Sequence, residues 1–505
     1  MIAQLERRPG AVFLLIAGYF LLNVIVRLLL PHSLELDEAE QVFLSQWLAF
    51  GYGPQPPFYN WFQQIFFALF GTSVVTLSIA KNLMLFLSYL FYGLTAFRLL
   101  SDKRLAVVAV LGLITIPQIS FEAQRDLAHT VAVIFSTSLF FYVLVCTIQR
   151  PTAARYALTG LAIGLGVISK YNFVLVPIGA LVAMVSDPAL RRHVFDRRLV
   201  LTILVAALVV LPHGLWVLDH LEIATESTLD KLGEDEIGSG IAQIADGGVS
   251  LILAVLGFSA VTTAVLFALF GKGMTAALKT GMVWTRLIER TVIFCLTAIL
   301  LMIVFGGAEH IKDRWLTPIL LPLPLYLCLK AEAGGLQVNR AFRGMVTIAL
   351  VVMIAIPAVL YGRVAFAPVT GVYKKLNVPF SALMTTLSAQ ALPSLIIAED
   401  DHLAGNLRFR QQSVPVQSAI HSGFAPDIEW TTSRPGLLIW RVLKDSDVPV
   451  PADLATAAQK RFGILPREIE ARTISIPYAT VTIVPGSSND QYRFGYAWIY
   501  PKNGG

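Results

Sequence analysis

The sequence predicts an all-α polytopic membrane domain followed by a small C-terminal α/β domain. Of its 505 residues, 56% are hydrophobic and only 14% are charged, whereas soluble proteins carry about 25% charged residues. Long apolar runs recur between positions 11 and 362, and only short ones follow position 370. The mean hydropathy of +0.68 is typical of a chain that lies largely in a bilayer.

Eleven apolar segments are candidates for transmembrane helices, each of which needs about 20 predominantly apolar residues. They are 11–30, 76–100, 105–117, 128–147, 155–168, 172–186, 199–217, 248–271, 289–305, 316–330 and 344–362. Several are short, so the prediction is about eleven spans. Arg7 and Arg8 precede the first segment without a small-residue cleavage site after it, so we expect a signal anchor that is retained.

The distribution of lysine and arginine supports this number. With the N-terminus in the cytoplasm, the cytoplasmic loops hold most of the loop cations, as the positive-inside rule requires. Merging 155–186 into one span would move the four arginines between positions 191 and 198 to the opposite side. The odd number of spans also places everything after residue 362 outside the cytoplasm.

Residues 41–70 mix aromatic side chains with Gln and Asn and are interrupted by Gly and Pro at 51–57. Such a segment favours the membrane interface, where aromatic rings lie at headgroup depth. We therefore predict two short interfacial helices joined by an elbow.

The C-terminal part has the pattern of a small extracytoplasmic α/β domain. Residues 395–398, 436–442 and 480–484 are predicted strands, and 453–462 is a predicted helix with an acidic start. The predicted domains are a transmembrane catalytic domain at 1–365 and an extracytoplasmic domain at 370–505.

The first loop outside the cytoplasm carries an acidic cluster. Glu35, Asp37, Glu38 and Glu40 follow the first span, and no lysine or arginine occurs between residues 31 and 60. One interpretation is a solvated helix start, where carboxylates interact favourably with the helix dipole. The other is a general base or a metal site at the membrane surface.

Further ionisable residues lie at the outer ends of other spans. They are Arg27, Lys81, Glu122, Arg125, Asp126, His129, Lys170, Glu309, His310, Lys312, Asp313 and Arg314, with Tyr171 beside Lys170. Ionisable side chains at membrane depth are costly and usually functional, although Arg27 at a helix end also fits simple snorkelling. Asp313 between two cations also fits a local ion pair.

Carboxylates and cations on the same side suit a sugar donor with a phosphate leaving group. Cations bind the phosphate and stabilise its charge as it departs, and a carboxylate removes the proton of the acceptor hydroxyl. The alternatives are a transporter or flippase for lipid-linked sugars and a structural assembly protein. Coupled transport usually places carboxylates within spans, which here contain almost no Asp or Glu.

The first loop resembles that of the GT-C glycosyltransferases, in the branch of aminoarabinose lipid A transferases and protein O-mannosyltransferases. The matching residues are Asp37-Glu38-Ala39, Gly51 or Gly53, Pro56-Pro57-Phe58 and Trp61, followed by the cation Lys81. The turn Ser169-Lys170-Tyr171 and the segment RWLTPILLPLPL are also similar. The resemblance covers roughly residues 1–330.

The resemblance implies an inverting transferase that uses a polyprenyl-phosphate sugar at the outer leaflet of a bacterial inner membrane. Asp37 would be the base, with Glu38 and Asp126 completing the catalytic set. Donor-binding residues would be Lys81, Lys170, Tyr171, His310, Lys312 and Arg314. Gln55, Tyr59 and Trp61 would contact the acceptor or the membrane interface.

The chain departs from this branch at Pro54-Gln55, where aminoarabinose transferases usually have Glu-Lys. For this reason no metal or other cofactor is assigned. In general style the chain is also similar to rhizobial lipopolysaccharide galacturonosyltransferases, so galacturonate is one candidate sugar beside neutral hexose, pentose and aminoarabinose. The expected acceptor is an envelope glycan such as lipopolysaccharide or lipid A on the periplasmic side, and no nucleic-acid partner is expected.

Overall fold

The computed structural model describes residues 1–222, 240–421, 423–442, 450–481 and 490–501. The described part is mainly helical. Up to residue 219 its α-helices are α1 (Ile2–Arg7), α2 (Val12–Leu28), α3 (Leu36–Leu44), α4 (Phe58–Phe70), α5 (Val74–Leu99), α6 (Lys103–Gly112), α7 (Ala123–Arg125), α8 (Ala128–Gln149), α9 (Ala153–Val167), α10 (Leu175–Ser186), α11 (Arg191–Val194) and α12 (Leu199–Asp219).

The helices that follow residue 239 alternate with strands towards the C-terminal end. They are α13 (Gly240–Phe270), α14 (Gly273–Ala277), α15 (Val283–Gly306), α16 (Thr317–Leu320), α17 (Leu323–Ala333), α18 (Val338–Ala365), α19 (Ala367–Thr370), α20 (Phe380–Ser388), α21 (Asp401–Arg410) and α22 (Ala452–Phe462). The strands are β1 (Leu395–Ala398), β2 (Val416–Ser418), β3 (Gly436–Arg441), β4 (Arg472–Pro477) and β5 (Gln491–Ile499).

The helices reproduce the predicted spans. In the described part, seven are long and apolar enough to cross a membrane, or nine if each of two bent helix pairs forms one span. Two shorter apolar helices, Ala153–Val167 and Tyr171–Ser186, coincide with the remaining two predicted segments. Each of the eleven predicted segments is therefore helical for most of its length.

A proline lies at each of the two bends, but only the first interrupts the helical backbone before it, since Leu321 before Pro322 stays helical. Lys103–Thr115 and Gln118–Arg125 meet at 71°, and Asp313–Leu320 and Leu323–Ala333 meet at 43°. Pro117 and Pro322 lie at the two breaks. Proline disfavours helical geometry in the residue before it, and Ile116 is accordingly extended. The segment after Pro117, predicted as a loop, is thus largely helical.

The chain divides into two compact units. The first contains Met1–Asn23, Phe50–Tyr59 and Lys81–Ile356, and the second contains Val24–Ala49, Asn60–Ala80 and Pro357–Gly505. In the first unit α9 and α12 pack closely at Gly160, which has no Cβ. A Cβ there would lie 2.3 Å from the Thr202 carbonyl oxygen. Small residues permit such backbone approach between membrane helices.

The second unit contains the predicted α/β fold. Its sheet has the order β2-β1-β3-β5-β4, with β1 parallel to β2 and β3, and β5 antiparallel to β3 and β4. Leu438 and Trp440 of the sheet form a core with Leu454, Ala458 and Phe462 of α22. This explains the spacing of apolar residues in α22, which repeat every three to four positions on one face.

The predictions for this unit are confirmed at β1, β3 and α22. Of the predicted strand at 480–484, residues 480 and 481 are not in a strand and the others lie outside the described residues. β4 and β5 were not predicted. Of the two short helices predicted within 41–70, α4 lies in that range, whereas α3 begins earlier, at Leu36, and only its last residues fall there; residues 45–57 join the two helices. The domain boundary near 365–370 stays a prediction, and the grouping of α3 with the C-terminal residues is a new finding.

Candidate active site

Asp37 lies in the first turn of α3, where its side chain is half-buried. The helix begins here because Glu35 takes the N-cap position and the Glu38 carboxylate accepts the Glu35 backbone N–H at 3.2 Å, as in a capping box. The first-turn position places the Asp37 carboxylate near the unpaired N–H groups and the positive end of the helix dipole.

Arg27, near the end of α2, holds Glu38. Its Nε and Nη2 lie 3.2 and 2.8 Å from the two Glu38 carboxylate oxygens. The same guanidinium donates to the carbonyl oxygens of Pro31 and Ser33. Arg27 therefore does not simply snorkel; it fixes the path of the chain from α2 into α3. Glu38 is 6% exposed, so this is a largely buried ion pair.

The helix α21, in the C-terminal part of the chain, supports the start of α3. The Asn406 side chain accepts the Leu34 backbone N–H at 2.8 Å, and His402 Nε2 lies 2.9 Å from the Leu34 carbonyl oxygen. Burial and the nearby Arg441 cation lower the pKa of His402 to about 4. The neutral His402 ring can accept a hydrogen bond at Nδ1 from Arg441 Nη2, which lies 3.1 Å away. It can then donate a hydrogen bond from Nε2 to the Leu34 carbonyl oxygen.

Two further contacts hold the rest of α3. A Cβ on Gly405 would lie 1.9 Å from the Ala39 carbonyl oxygen, so only glycine permits this approach of α21 to α3. Beyond the helix end, the Gln46 amide both donates to the Val416 carbonyl and accepts its N–H, each at 2.9 Å. Contacts from the C-terminal residues thus fix α3 at its start, middle and end.

In the first unit, Asp126 lies in the segment that follows the break at Pro117. It is 7% exposed and ends α7. The next residue, Leu127, has φ +70°, and among the described residues it alone is a non-glycine with positive φ. This conformation is unfavourable for a leucine and marks stored backbone strain, which often occurs at functional sites.

Lys81 and Lys170 both lie near the residues that flank Asp126 in the sequence. Lys81 is 6% exposed, and its Nζ donates to the Gln124 carbonyl oxygen at 3.0 Å. Lys170 Nζ lies 3.3 Å from the Thr130 hydroxyl. Tyr59 contacts the same region, with its ring centroid 6.4 Å from that of His129.

The turn at Lys170 and Tyr171 also contacts the segment that contains Lys312, Asp313 and Arg314. Asn172 Nδ2 donates to the Trp315 carbonyl oxygen, one residue after Arg314. Asp313 accepts from the Gln118 side chain at 2.6 Å and from the Arg314 backbone N–H, rather than pairing with the neighbouring cations. None of the carboxylate ion pairs between described residues includes Lys312 or Arg314.

The remaining predicted residues are placed as follows. His310 and Lys312 are exposed and Arg314 is half-buried. Gln55, in the segment that follows α3 along the chain, is half-buried. Trp61, in the second unit, donates its indole N–H to the Ala49 carbonyl oxygen at 2.9 Å. The first unit therefore brings together the segments of Asp126, Lys81, Lys170 and Arg314, while Asp37 and Glu38 belong to the second unit.

Sequence reasoning missed His213. It lies inside α12, is 2% exposed, and its two ring nitrogens lie 2.9 Å from the Tyr171 hydroxyl and 2.8 Å from the Phe50 carbonyl oxygen. It therefore ties the Tyr171 turn to the loop after α3. A single histidine in an apolar run gives no sign of either partner. Among the described residues, no group of three His, Cys, Asp or Glu is placed so that it could hold a metal ion.

Solved structures with the same fold identify the architecture. The chain is similar to apo ArnT from Cupriavidus metallidurans, with a TM-score of 0.62 and 14% identity over 96% of this chain and 97% of that one. A structure of ArnT from the same organism bound to undecaprenyl phosphate gives a TM-score of 0.59 at 14% identity, covering 95% and 97%. A family model described as dolichyl-phosphate-mannose-protein mannosyltransferase matches residues 54–216.

The likeness to ArnT shows the fold, and relatives of higher identity define the class, a membrane glycosyltransferase, as predicted. Among curated proteins of Rhizobium johnstonii, the chain is 50% identical to the lipopolysaccharide core galacturonosyltransferase RgtB over 97% of both chains. It is 40% identical to the lipopolysaccharide core galacturonosyltransferase RgtA over 99% of this chain and 100% of that one. The chain belongs to this family of lipopolysaccharide core galacturonosyltransferases.

Proposed function

We propose that the protein transfers galacturonic acid from a polyprenyl-phosphate donor to the core of lipopolysaccharide. The 50% identity to RgtB across nearly the whole of both chains carries this proposal. The structure of ArnT bound to undecaprenyl phosphate supports a polyprenyl-phosphate donor. The positive-inside pattern of the loops supports a bacterial inner-membrane location with the active site in the periplasm.

In the proposed reaction Asp37 removes the proton of an acceptor hydroxyl. The oxygen of that hydroxyl attacks the anomeric carbon of the donor sugar at the same time. The bond between that carbon and the phosphate oxygen breaks, and the configuration inverts. The half-buried position of Asp37 at the start of α3 suits this task, because hydrogen bonds from α21 hold this helix start in a defined place. Glu38 is a positioning residue, since Arg27 and the Glu35 N–H both engage its carboxylate.

The leaving group is the polyprenyl phosphate, which departs with its negative charge. Lys81, Lys170, Lys312 and Arg314 are proposed to bind it, with Tyr171 and His310 beside them. The hydrogen bonds that join the segments of Asp126, Lys170 and Arg314 support a common site in the first unit. Cations held in place before the reaction stabilise the developing charge without reorganisation. The same cations suit the sugar carboxylate, and Arg314 has the planar geometry for it.

The test is transfer by the purified full-length protein with several polyprenyl-phosphate sugars and lipopolysaccharide core as acceptor. We expect galacturonate to be transferred and glucose, mannose and aminoarabinose to be poor substrates. Transfer of a neutral sugar in preference to galacturonate would overturn the sugar assignment. Movement of intact donor across vesicle membranes without transfer would instead favour the flippase alternative.

A further inference from the structure

A pocket in the second unit lies apart from the carboxylate of Asp37. Its volume is about 290 Å³, and it is formed by the end of α3, the later half of α4, the turn before α5 and the end of α21. Its lining includes Ser45, Phe67, Thr72, Arg408 and Gln412. The proposed transfer reaction assigns no role to any of these residues.

Arg408 is the charged member of this lining. Its side chain is half-buried, and burial lowers its pKa. One hydrogen bond joins its Nη1 to the Val414 carbonyl oxygen at 3.0 Å. Among the described residues, no ion pair with a carboxylate includes Arg408. A partly desolvated guanidinium that keeps free donors is stabilised by an anion, most strongly by one that takes two hydrogen bonds.

The rest of the lining is compatible with an anion. It contains no carboxylate. Gln412 donates one amide N–H to the Thr72 carbonyl oxygen at 3.0 Å, which fixes the end of α21 against the turn before α5. The wall beside it is partly apolar, with Phe67 and Ala68 of α4. A polar end and an apolar wall together fit an amphiphile better than a free ion.

The start of α5 indicates the depth of the pocket in a membrane. Thr72 is two residues before Val74, where the spanning-length helix α5 begins, and the ends of spanning helices lie at the membrane surface. The neighbouring helix α4 leaves Ile65, Leu69 and Phe70 57 to 69% exposed. A helix with such a face lies in the interface with its apolar side towards the acyl chains.

We propose that this pocket binds the anionic headgroup of a membrane lipid, with a phosphate or carboxylate at Arg408 and the acyl chains along α4. The pocket is thus a lipid-binding site outside the proposed donor site. We therefore expect binding to require both the negative charge of the headgroup, at Arg408, and the acyl chains, along α4.

The experiment measures lipid binding rather than sugar transfer, so its outcome does not depend on the proposed function. Phosphatidylglycerol or phosphatidylcholine is titrated into the detergent-solubilised full-length protein, and bound lipid is counted by native mass spectrometry. We expect phosphatidylglycerol to be retained in preference, and Arg408→Gln to weaken its binding about tenfold, as the loss of one charge-assisted contact predicts. Arg434→Gln is the control, because Arg434 is exposed and outside the lining.

A second variant covers the possibility that Arg408→Gln fails to fold. Ala68→Glu places a carboxylate on an exposed position of the lining and is expected to reduce binding of phosphatidylglycerol but not of phosphatidylcholine. Equal retention of phosphatidylglycerol by the wild type and a folded variant would overturn the proposal. Displacement of the lipid by an equal concentration of inorganic phosphate would also overturn it, because the pocket would then be an anion site without specificity for lipid.

Discussion

Arg27 and Glu38 form an ion pair in which two guanidinium nitrogens lie 2.8 and 3.2 Å from the two carboxylate oxygens. The pair joins the end of one membrane helix to the first turn of the helix that carries Asp37. Since Glu38 also accepts the Glu35 N–H, its carboxylate is fully engaged in structure. The two adjacent acidic residues therefore have different proposed roles, one positioning and one catalytic.

Glu38→Gln is expected to destabilise the protein and slow the transfer. The amide can still accept the Glu35 N–H, but Arg27 loses its counter-charge in a largely buried setting, which costs about 3–5 kcal/mol. Thermal unfolding monitored by intrinsic fluorescence checks the stability. Glu429→Gln is the control, since Glu429 is exposed and its substitution should change neither quantity. An unfolding midpoint equal to that of the wild type would contradict the structural role.

Gly405→Ala is expected to lower kcat while the KM for the donor stays nearly unchanged. The added Cβ would lie 1.9 Å from the Ala39 carbonyl oxygen, so α3 and Asp37 must shift, whereas the proposed donor cations lie in the other unit. A displacement of about 1 Å can cost about 100-fold in rate. Gly214→Ala is the matched control, because a Cβ there has no neighbour within 4 Å. Equal kcat for both variants would exclude positioning of α3 by α21.

Acid is expected to weaken the support of α3 through His402. Its pKa is lowered from 6.5 to about 4 in the folded protein, mainly by burial. The resulting stability is fully present above pH 6.5 and is lost as the pH falls towards 4, up to about 3 kcal/mol. His421, whose pKa burial also lowers, contributes with the same sign. Unfolding midpoints between pH 7.5 and 4.5 should therefore fall less steeply for His402→Gln than for the wild type. Parallel slopes would refute this account.

Arg314→Gln is expected to raise the KM for the polyprenyl-phosphate donor about tenfold with little effect on stability. Arg314 is half-buried and its cation is available for a phosphate, and each charge-assisted hydrogen bond to a phosphate contributes about 1.5–3 kcal/mol. Lys279→Gln is the control, because Lys279 is exposed in the turn after α14. Steady-state rates at varied donor concentration decide; an unchanged donor KM would remove Arg314 from the donor site.

The apolar runs predicted the helices well because a spanning helix is a local feature defined by length and composition. The bends at Pro117 and Pro322 were also encoded locally, although the helical segment after Pro117 was not expected. β5 was missed although its aromatic residues alternate at positions 492, 494, 496 and 498; Gly495, on the opposite face, leaves room for the Trp440 ring packed against it. Local sequence patterns therefore predict those helices and strands whose residue types do not depend on a contact with a distant part of the chain.

The support of α3 could not be predicted, because it depends on partners far apart in the chain. Leu34 and Asn406 are joined by a hydrogen bond across more than 370 positions, and neither residue has a pattern that names the other. Arg27 was ambiguous for the same reason, since a cation at a helix end has equal reason to snorkel. The acidic cluster itself was visible, but the division of roles between Asp37 and Glu38 required the geometry.

The most direct test of the central claim is the single-turnover rate of transfer for Asp37→Asn, measured with enzyme in excess over the donor so that all donor is bound. Asp453→Asn is the matched control, because Asp453 also occupies the first turn of a helix and is exposed. If Asp37 is the general base, the rate falls by at least about 100-fold while donor affinity and the unfolding midpoint match those of Asp453→Asn. A rate for Asp37→Asn equal to that of Asp453→Asn would contradict the account.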